Sequence, residues 1–311
     1  MTGPEPRSGM ATSGSFVQGP DDIVVPFSTD KSGVRGRLVR MGAVVDTILT
    51  RHAYPEPVSE ALGQALALTA MLGQPLGPGG RLGFQTRTDG PLRFLLADYE
   101  APGRLRGYAS FDADAIAAMG ARPKQGDLIG SGHMAMTLER PGDEDRYQGI
   151  VALEGQSLGA AALTYFRQSE QLPSYVRLAV ARQRVQGGDG WHWRAGGLLI
   201  QHPTAQVEDN DDPSAPPEQE NWQRARILAA SVEDHELIDP TLSAERLLFR
   251  LFNEEDVRVY KGQTLDAKCR CSRERVQMFL SRFSEEDLAS LREPDGSISV
   301  TCEFCNTKYG F

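Results

Sequence analysis

Hydrophobic positions along the chain follow two periods. IVVPF (23–27) and GVRGRLVRM (33–41) read as strands joined by the polar turn STDKS. A helix is predicted over about 43–52, AVVDTILTRH. A stronger one covers PVSEALGQALALTAMLG (57–73), where Val58, Ala61, Leu62, Ala65, Leu66, Thr69 and Leu72 recur at three- and four-residue spacing on one face. Pro57 suits its first turn and Gly73 its exit.

Short alternating runs come next. RLGFQTR and LRFLLADYE flank the hairpin-like turn TDGP, and LRGYASF follows a turn at APG. A helix over 112–119 (DADAIAAM) precedes the strand candidates HMAMTLE and YQGIVALE. LGAAALTYFRQSEQL reads as a helix ended by Pro173, with YVRLAVARQRV and WHWRAGGLLIQ as further strands. Strands and helices do not alternate regularly, so the pattern predicts an α+β core with antiparallel or mixed sheets and packed helices.

The pattern breaks at EDNDDPSAPPEQE (208–220), with six acidic residues, three prolines and no basic residue. Such a segment buries no apolar area and marks a boundary. Two amphipathic helices are predicted beyond it, NWQRARILAASV and TLSAERLLFRLFNEE; in the second, Leu242, Leu247, Leu248, Leu251 and Phe252 form an apolar stripe. The expected organisation is a disordered tail (1–20), an α+β core (21–207), an acidic loop and helical linker (208–262), and a small C-terminal unit (263–311).

At 311 residues the chain is long for one hydrophobic core, which agrees with that division. A net charge of −9 argues against a general nucleic-acid binder. The Gly/Ser/Pro-rich N-terminus has no apolar stretch of export-signal length, and ALALTAMLG (65–73) is far too short for a membrane span. A cytoplasmic protein without membrane association is expected, a compartment where thiols stay reduced.

All four cysteines lie within the last 43 residues, as C-x-C (Cys269, Cys271) and C-x-x-C (Cys302, Cys305) separated by thirty residues. Close pairs of thiolates, two ligands each, suit one tetrahedral zinc ion. Between the pairs, Ser272 can cap a helix whose Val276, Phe279, Leu280 and Phe283 share a face; Ser284 can cap a second, EEDLASL; PDG turns the chain into the strand SISVT. Asn306 tolerates the left-handed backbone of a tight knuckle. Cys271 is placed at a helix start beside Arg270, Arg273 and Arg275, which predicts a thiolate reactive toward oxidants. A unit this small draws its folding energy from the metal, so ligand oxidation would unfold it; the pattern permits a switch without requiring one.

The segments CRCSRERV and VTCEFCNTKY around the cysteines, with DGPLRFLLADYEAPGRLRGY, YQGIVALEG, YFRQSEQLPS and AGGLLIQ in the same order upstream, resemble the 33 kDa chaperonin family, the redox-regulated bacterial heat-shock holdases. The resemblance covers nearly the whole chain. It implies a reduced form, largely inactive, holding zinc through Cys269, Cys271, Cys302 and Cys305. It also implies that peroxide or hypochlorous acid under unfolding conditions forms Cys269–Cys271 and Cys302–Cys305 disulfides, with zinc release and unfolding of the C-terminal unit and linker. The exposed surface then binds unfolding client proteins without ATP, commonly as a homodimer.

Two other readings compete. GQSLG (155–159) matches the G-x-S-x-G elbow of serine hydrolases, with Ser157 between a predicted strand and helix and His192, His202 and His235 downstream. No HGGG-like oxyanion motif precedes it, and the sheet pattern is not regular α/β. The second is a structural zinc ribbon that binds nucleic acid or a protein partner. Residues 257–311 hold nine Lys/Arg against eight Asp/Glu, a nearly neutral balance that attracts phosphate weakly.

Overall fold

The computed structural model describes residues 21–120, 122–142, 146–184, 190–203 and 217–311. The predicted tail (1–20) and most of the acidic segment lie outside the described residues. The chain opens with β1 (Ile23–Thr29) and β2 (Arg35–Met41), then α1 (Ala43–Thr50) and α2 (Glu56–Gly73). A meander follows: β3 (Arg81–Thr88), β4 (Leu92–Glu100) and β5 (Arg104–Phe111). Two short helices, α3 (Ala113–Ala118) and α4 (Gln125–Ile129), lead to β6 (Ser131–Glu139) and β7 (Tyr147–Glu154). Next come α5 (Leu158–Tyr165), β8 (Ser174–Arg184) and β9 (Trp191–Gln201).

The strands form two large sheets. In the first, β1, β2, β9 and β8 are antiparallel neighbours in that order; in the second, β5, β4, β3, β6 and β7 are. Between the sheets runs α2. Sequence periodicity gave it one apolar face, yet Ser59, Gly63, Ala67, Leu68, Ala70 and Met71 are buried as well, because both sheets cover it. Gly73 is needed for space, since a Cβ there would fall 2.3 Å from the Tyr99 ring. The segment predicted as one helix to Pro173 ends as α5 at Tyr165 and widens into a π-helical turn over Phe166–Glu170. The α+β class holds, with short helices such as α4 that the apolar periodicity did not mark.

The first sheet is buried on both faces, and strict alternation separates them. Val24, Val39, Met41, Ala195 and Leu199 point toward α2. Ile23, Val25, Phe27, Leu38, Leu198 and Ile200 point the other way and meet three more helices. These are α6 (Pro217–Ala230), α7 (Asp234–Ile238) and α8 (Ala244–Phe252). The predicted stripe of α8 lies here: Leu247, Leu248, Leu251 and Phe252 are buried, Leu242 packs at the edge, and the Phe252 and Phe27 rings sit 5.4 Å apart. Ser243 caps α8 by accepting from Arg246 N–H. Arg224 of α6 holds the buried carboxylate of Glu255 at 2.6 Å.

From α8 the chain returns to the sheets. β10 (Val257–Val259) and β11 (Gln263–Thr264) both pair with β1, and β12 (Asp266–Ala267) pairs in parallel with β5 of the second sheet. This crossing brings the main chain to Cys269.

Candidate metal centre

Backbone pairing sets the first two cysteines. Beyond β12, Lys268 N–H donates to the Leu105 carbonyl at 3.1 Å, so Cys269 and Cys271 leave directly from the rim of the second sheet. Ser272 then caps α9 (Arg273–Leu280) and Ser284 caps α10 (Glu285–Ser290), both by accepting the expected N–H groups. The predicted last strand forms as β13 (Ser299–Thr301), paired with β14 (Lys308–Gly310). Cys302 and Cys305 sit in the turn between them. There Asn306 is left-handed (φ 57°) and donates its N–H to the Cys302 carbonyl at 2.8 Å.

The four sulfurs converge. All Sγ atoms lie within 4.8 Å of one another, with Cys269–Cys302 at 3.7 Å and Cys271–Cys305 at 3.2 Å. Zn–S bonds of about 2.3 Å would give a tetrahedral edge of about 3.8 Å, so the donor set fits such an ion in type, number and spacing. The Tyr309 hydroxyl donates to Cys271 Sγ at 3.2 Å, and Thr307 Oγ1 lies 3.2 Å from Cys305 Sγ. Such outer hydrogen bonds orient thiolate ligands and tune their basicity.

The thiols do not titrate alike. Burial pushes Cys271 up to about 12 and also raises Cys302. Burial opposes the charge on Cys305 too, but hydrogen bonds with Thr307 and Cys271 bring it down to about 7. The expected activation of Cys271 by its arginines is therefore corrected. Arg270 is committed to Asp98 and Glu100, Arg273 stacks 4.6 Å from the Phe311 ring, and Arg275 donates to the Arg270 carbonyl.

The residues held inside each cysteine pair grip the core. Arg270, inside C-x-C, reaches Asp98 at 3.1 Å. Arg106 donates to the same carboxylate oxygen at 2.6 and 2.8 Å, and its guanidinium covers the Phe304 ring at 3.8 Å. Phe304, inside C-x-x-C, also has its carbonyl 3.4 Å from His52 Nε2, while Asn306 Nδ2 donates to the Arg51 carbonyl. Cysteine spacing alone does not reveal Asp98, Arg106 or His52. The charged alternation in LADYE and RLRGY does mark Asp98 and Arg106 as outward-facing partners on adjoining strands.

The apolar interior expected for this unit is mostly missing. Of Val276, Phe279, Leu280 and Phe283, Leu280 alone is buried; Phe279 is 54% and Met278 61% exposed. The helix has too little chain around it to cover that face.

The family model of the Hsp33 protein matches residues 22–311. The chain belongs to the Hsp33 family. The 33 kDa chaperonin of Caulobacter vibrioides is 45% identical over 292 residues, spanning 93% of this chain and 94% of its own. That of Nitrosococcus oceani is 35% identical over 285 residues, spanning 92% and 89%. The solved structure of the 33 kDa chaperonin from Thermotoga maritima shares the fold, with a TM-score of 0.74 at 23% identity, over 93% of this chain and 94% of that one.

Hsp33 proteins are chaperones rather than enzymes, and the G-x-S-x-G match dissolves accordingly. Ser157 is the N-cap of α5, accepting from Ala160 N–H, after a strand of an antiparallel sheet. His192 pairs with Asp46, His235 with Glu233, and His202 lies against Trp222. Among the described residues no helix is long and apolar enough to cross a membrane.

Proposed function

We propose that this chain is an ATP-independent, redox-switched holdase of the cytoplasm, acting on unfolding client proteins. Its reduced form would hold one zinc ion through Cys269, Cys271, Cys302 and Cys305, with residues 263–311 as switch domain, 208–262 as linker and 21–207 as core. One observation carries the reading: four converging thiols sit in a unit with almost no buried side chains, while the helices that precede it in the chain lay an apolar stripe on the first sheet. Bound zinc supplies the cross-link that a hydrophobic interior would otherwise provide.

Oxidation of the thiolates ends their hold on the metal. Each pair gives two electrons to one peroxide, forming one S–S bond and two waters. The pairing Cys269–Cys271 and Cys302–Cys305 follows the family resemblance. In the folded site Cys269 lies 3.7 Å from Cys302 and Cys271 3.2 Å from Cys305, so this pairing would exchange contacts between the two pairs for bonds within them as the unit opens. Once it is open, the neighbouring thiols have much shorter loops to close. The linker helices then lose the contacts that follow from docking, and the apolar sheet face becomes available to clients. The oxidised form would act as a homodimer, and the near-neutral switch domain gives nucleic acid no electrostatic foothold.

Light scattering of a thermally unfolding client tests this. Suppression by peroxide-treated protein alone, reversed by reductant and absent in Cys→Ser variants, is the expected result. Zinc release without any holding by either form would make the cysteines a structural clip.

A further inference from the structure

The outer face of the first sheet is largely apolar; Arg177 at its β8 edge pairs with the Asp234 carboxylate of α7 at 2.7 Å, and two further arginines lie deeper. Arg40 of β2 and Arg194 of β9 are 2% and 8% exposed, and both point at the linker. Their hydrogen bonds to the linker go to main-chain carbonyls. Arg40 Nη1 donates to the Leu242 carbonyl and Nη2 to the Asp239 carbonyl, while Arg194 Nε donates to the Ile238 carbonyl at 2.7 Å. Directly across from Arg40 in the ladder lies Gly196, where a Cβ would fall 2.3 Å from the Leu237 carbonyl oxygen. Beside the apolar contacts of Leu237, Ile238 and Leu242, the sheet thus holds the main chain of 237–242, at a glycine that lets it approach and two guanidiniums that take its carbonyls.

Asp21 holds the far side of this patch. It accepts both Arg194 Nη groups at 2.6 and 2.7 Å and lies 3.8 Å from Arg40 Nε. Asp21 precedes β1 and belongs to the core, so it stays when the linker leaves. Departure of α7 and α8 therefore strips three donors of their acceptors: both terminal nitrogens of Arg40 and Nε of Arg194. All three point out of an apolar face.

Resting on the holdase reading above, we infer that Arg40 and Arg194 form a carbonyl-reading subsite for unfolded polypeptide: the client's main chain takes the place that linker residues 237–242 occupy in the closed form. Every unfolded segment offers carbonyls, whatever its side chains. A guanidinium presents several donors in a fixed fork, and Arg40 spans two carbonyls at once. The surrounding Leu38, Leu198 and Ile200 take apolar side chains without regard to order. Linker and client then compete for the same donors, so opening and holding are one exchange.

The arginines consequently act with opposite sign in the two states, which a merely structural role would not produce. The test uses full-length Arg40→Lys, whose single ammonium keeps charge and stem but loses the fork, with Arg40→Met beside it. In the reduced form, amide exchange in 234–252 should quicken about tenfold while α2 stays protected. In the oxidised form, fluorescence anisotropy with labelled, reduced and carboxymethylated α-lactalbumin, a permanently unfolded chain, should show binding about fivefold weaker for Lys and tenfold for Met, the scale of one lost charge-assisted hydrogen bond. Should Arg40→Met fail to fold, the Lys variant decides. Oxidised variants that bind within twofold of wild type, or reduced variants whose linker exchange is unchanged, would overturn the subsite while wild-type holding stood. Failure of oxidised wild type to bind the unfolded chain would overturn the holdase reading and this inference with it.

Discussion

The helices across the first sheet and the cysteine unit beyond them are both short stretches laid on the same core, yet different physics holds them. Trp222, Ala225, Ala229, Leu247, Leu248, Leu251 and Phe252 lie buried against Ile23, Val25, Phe27, Leu38, Leu198 and Ile200. That interface stores its stability in many small, non-directional terms and loses it by degrees. The cysteine unit buries Leu280 and Ile298 and leaves Met278, Phe279 and Leu291 exposed. Its order is concentrated in four sulfurs. A structure built that way has few intermediate states, and chemistry at one atom type can dismantle it. Under the proposed switch, sensing falls to the second region and holding to the first.

Removing the ligands should give the largest effect. Structural zinc sites contribute about 10–16 kcal/mol in small zinc peptides, far more than this unit's packing can replace. Strong chelation of the reduced protein, or the quadruple Cys→Ser variant, should abolish amide protection across 269–311. Protection in α2 should stay unchanged, since its neighbours lie in the two sheets. Retained protection in the C-terminal unit without metal would break the comparison at its root.

A cavity in the linker interface should be costly but graded. Leu248→Ala removes a fully buried side chain from α8 and should cost about 2–5 kcal/mol of local stability. Urea titration followed by amide exchange in 217–252 reads it, and metal content should not change. If metal were lost along with the linker's protection, the two regions would be one cooperative unit.

Much of this division is legible in the sequence, and the illegible part has physical causes. The α8 stripe can be read because packing on a sheet imposes a 3.6-residue period, and Ser243, Ser272 and Ser284 mark helix starts by cap chemistry. The convergence of the four cysteines can be read because two close pairs in sequence suit one tetrahedral cluster. The same period over Val276, Phe279 and Phe283 misleads, since periodicity reports a helix and not what covers it. Arg40 and Arg194 read as interruptions in apolar strands; their partners are carbonyls, which carry no sequence signature. The Arg270–Asp98–Arg106–Phe304 contact joins residues about 170 positions apart, and only the crossing of β12 onto β5 brings them together.

The smallest effect sharpens the comparison by acid. Glu255 is buried beside α6, and the hydrogen bond from Arg224 holds its carboxyl below the usual value, helped by the Ser32 hydroxyl and Lys31 and opposed by burial. A depressed carboxylate stabilises the folded form fully above its unfolded pKa, near 4.5, and the contribution disappears as pH falls through the folded value. With Arg224 half-exposed, solvent screening limits the pair to about 1 kcal/mol. Arg224→Met should therefore loosen α6, read by amide exchange, at pH 7, and the gap to wild type should narrow as the pH drops below about 4.5. Loss of the Glu255 pair only weakens helices that Leu247, Leu251 and Phe252 still hold to the sheet. A gap that persisted unchanged below pH 4 would mean that Arg224 acts through its aliphatic stem and packing, leaving the linker interface held by apolar burial alone.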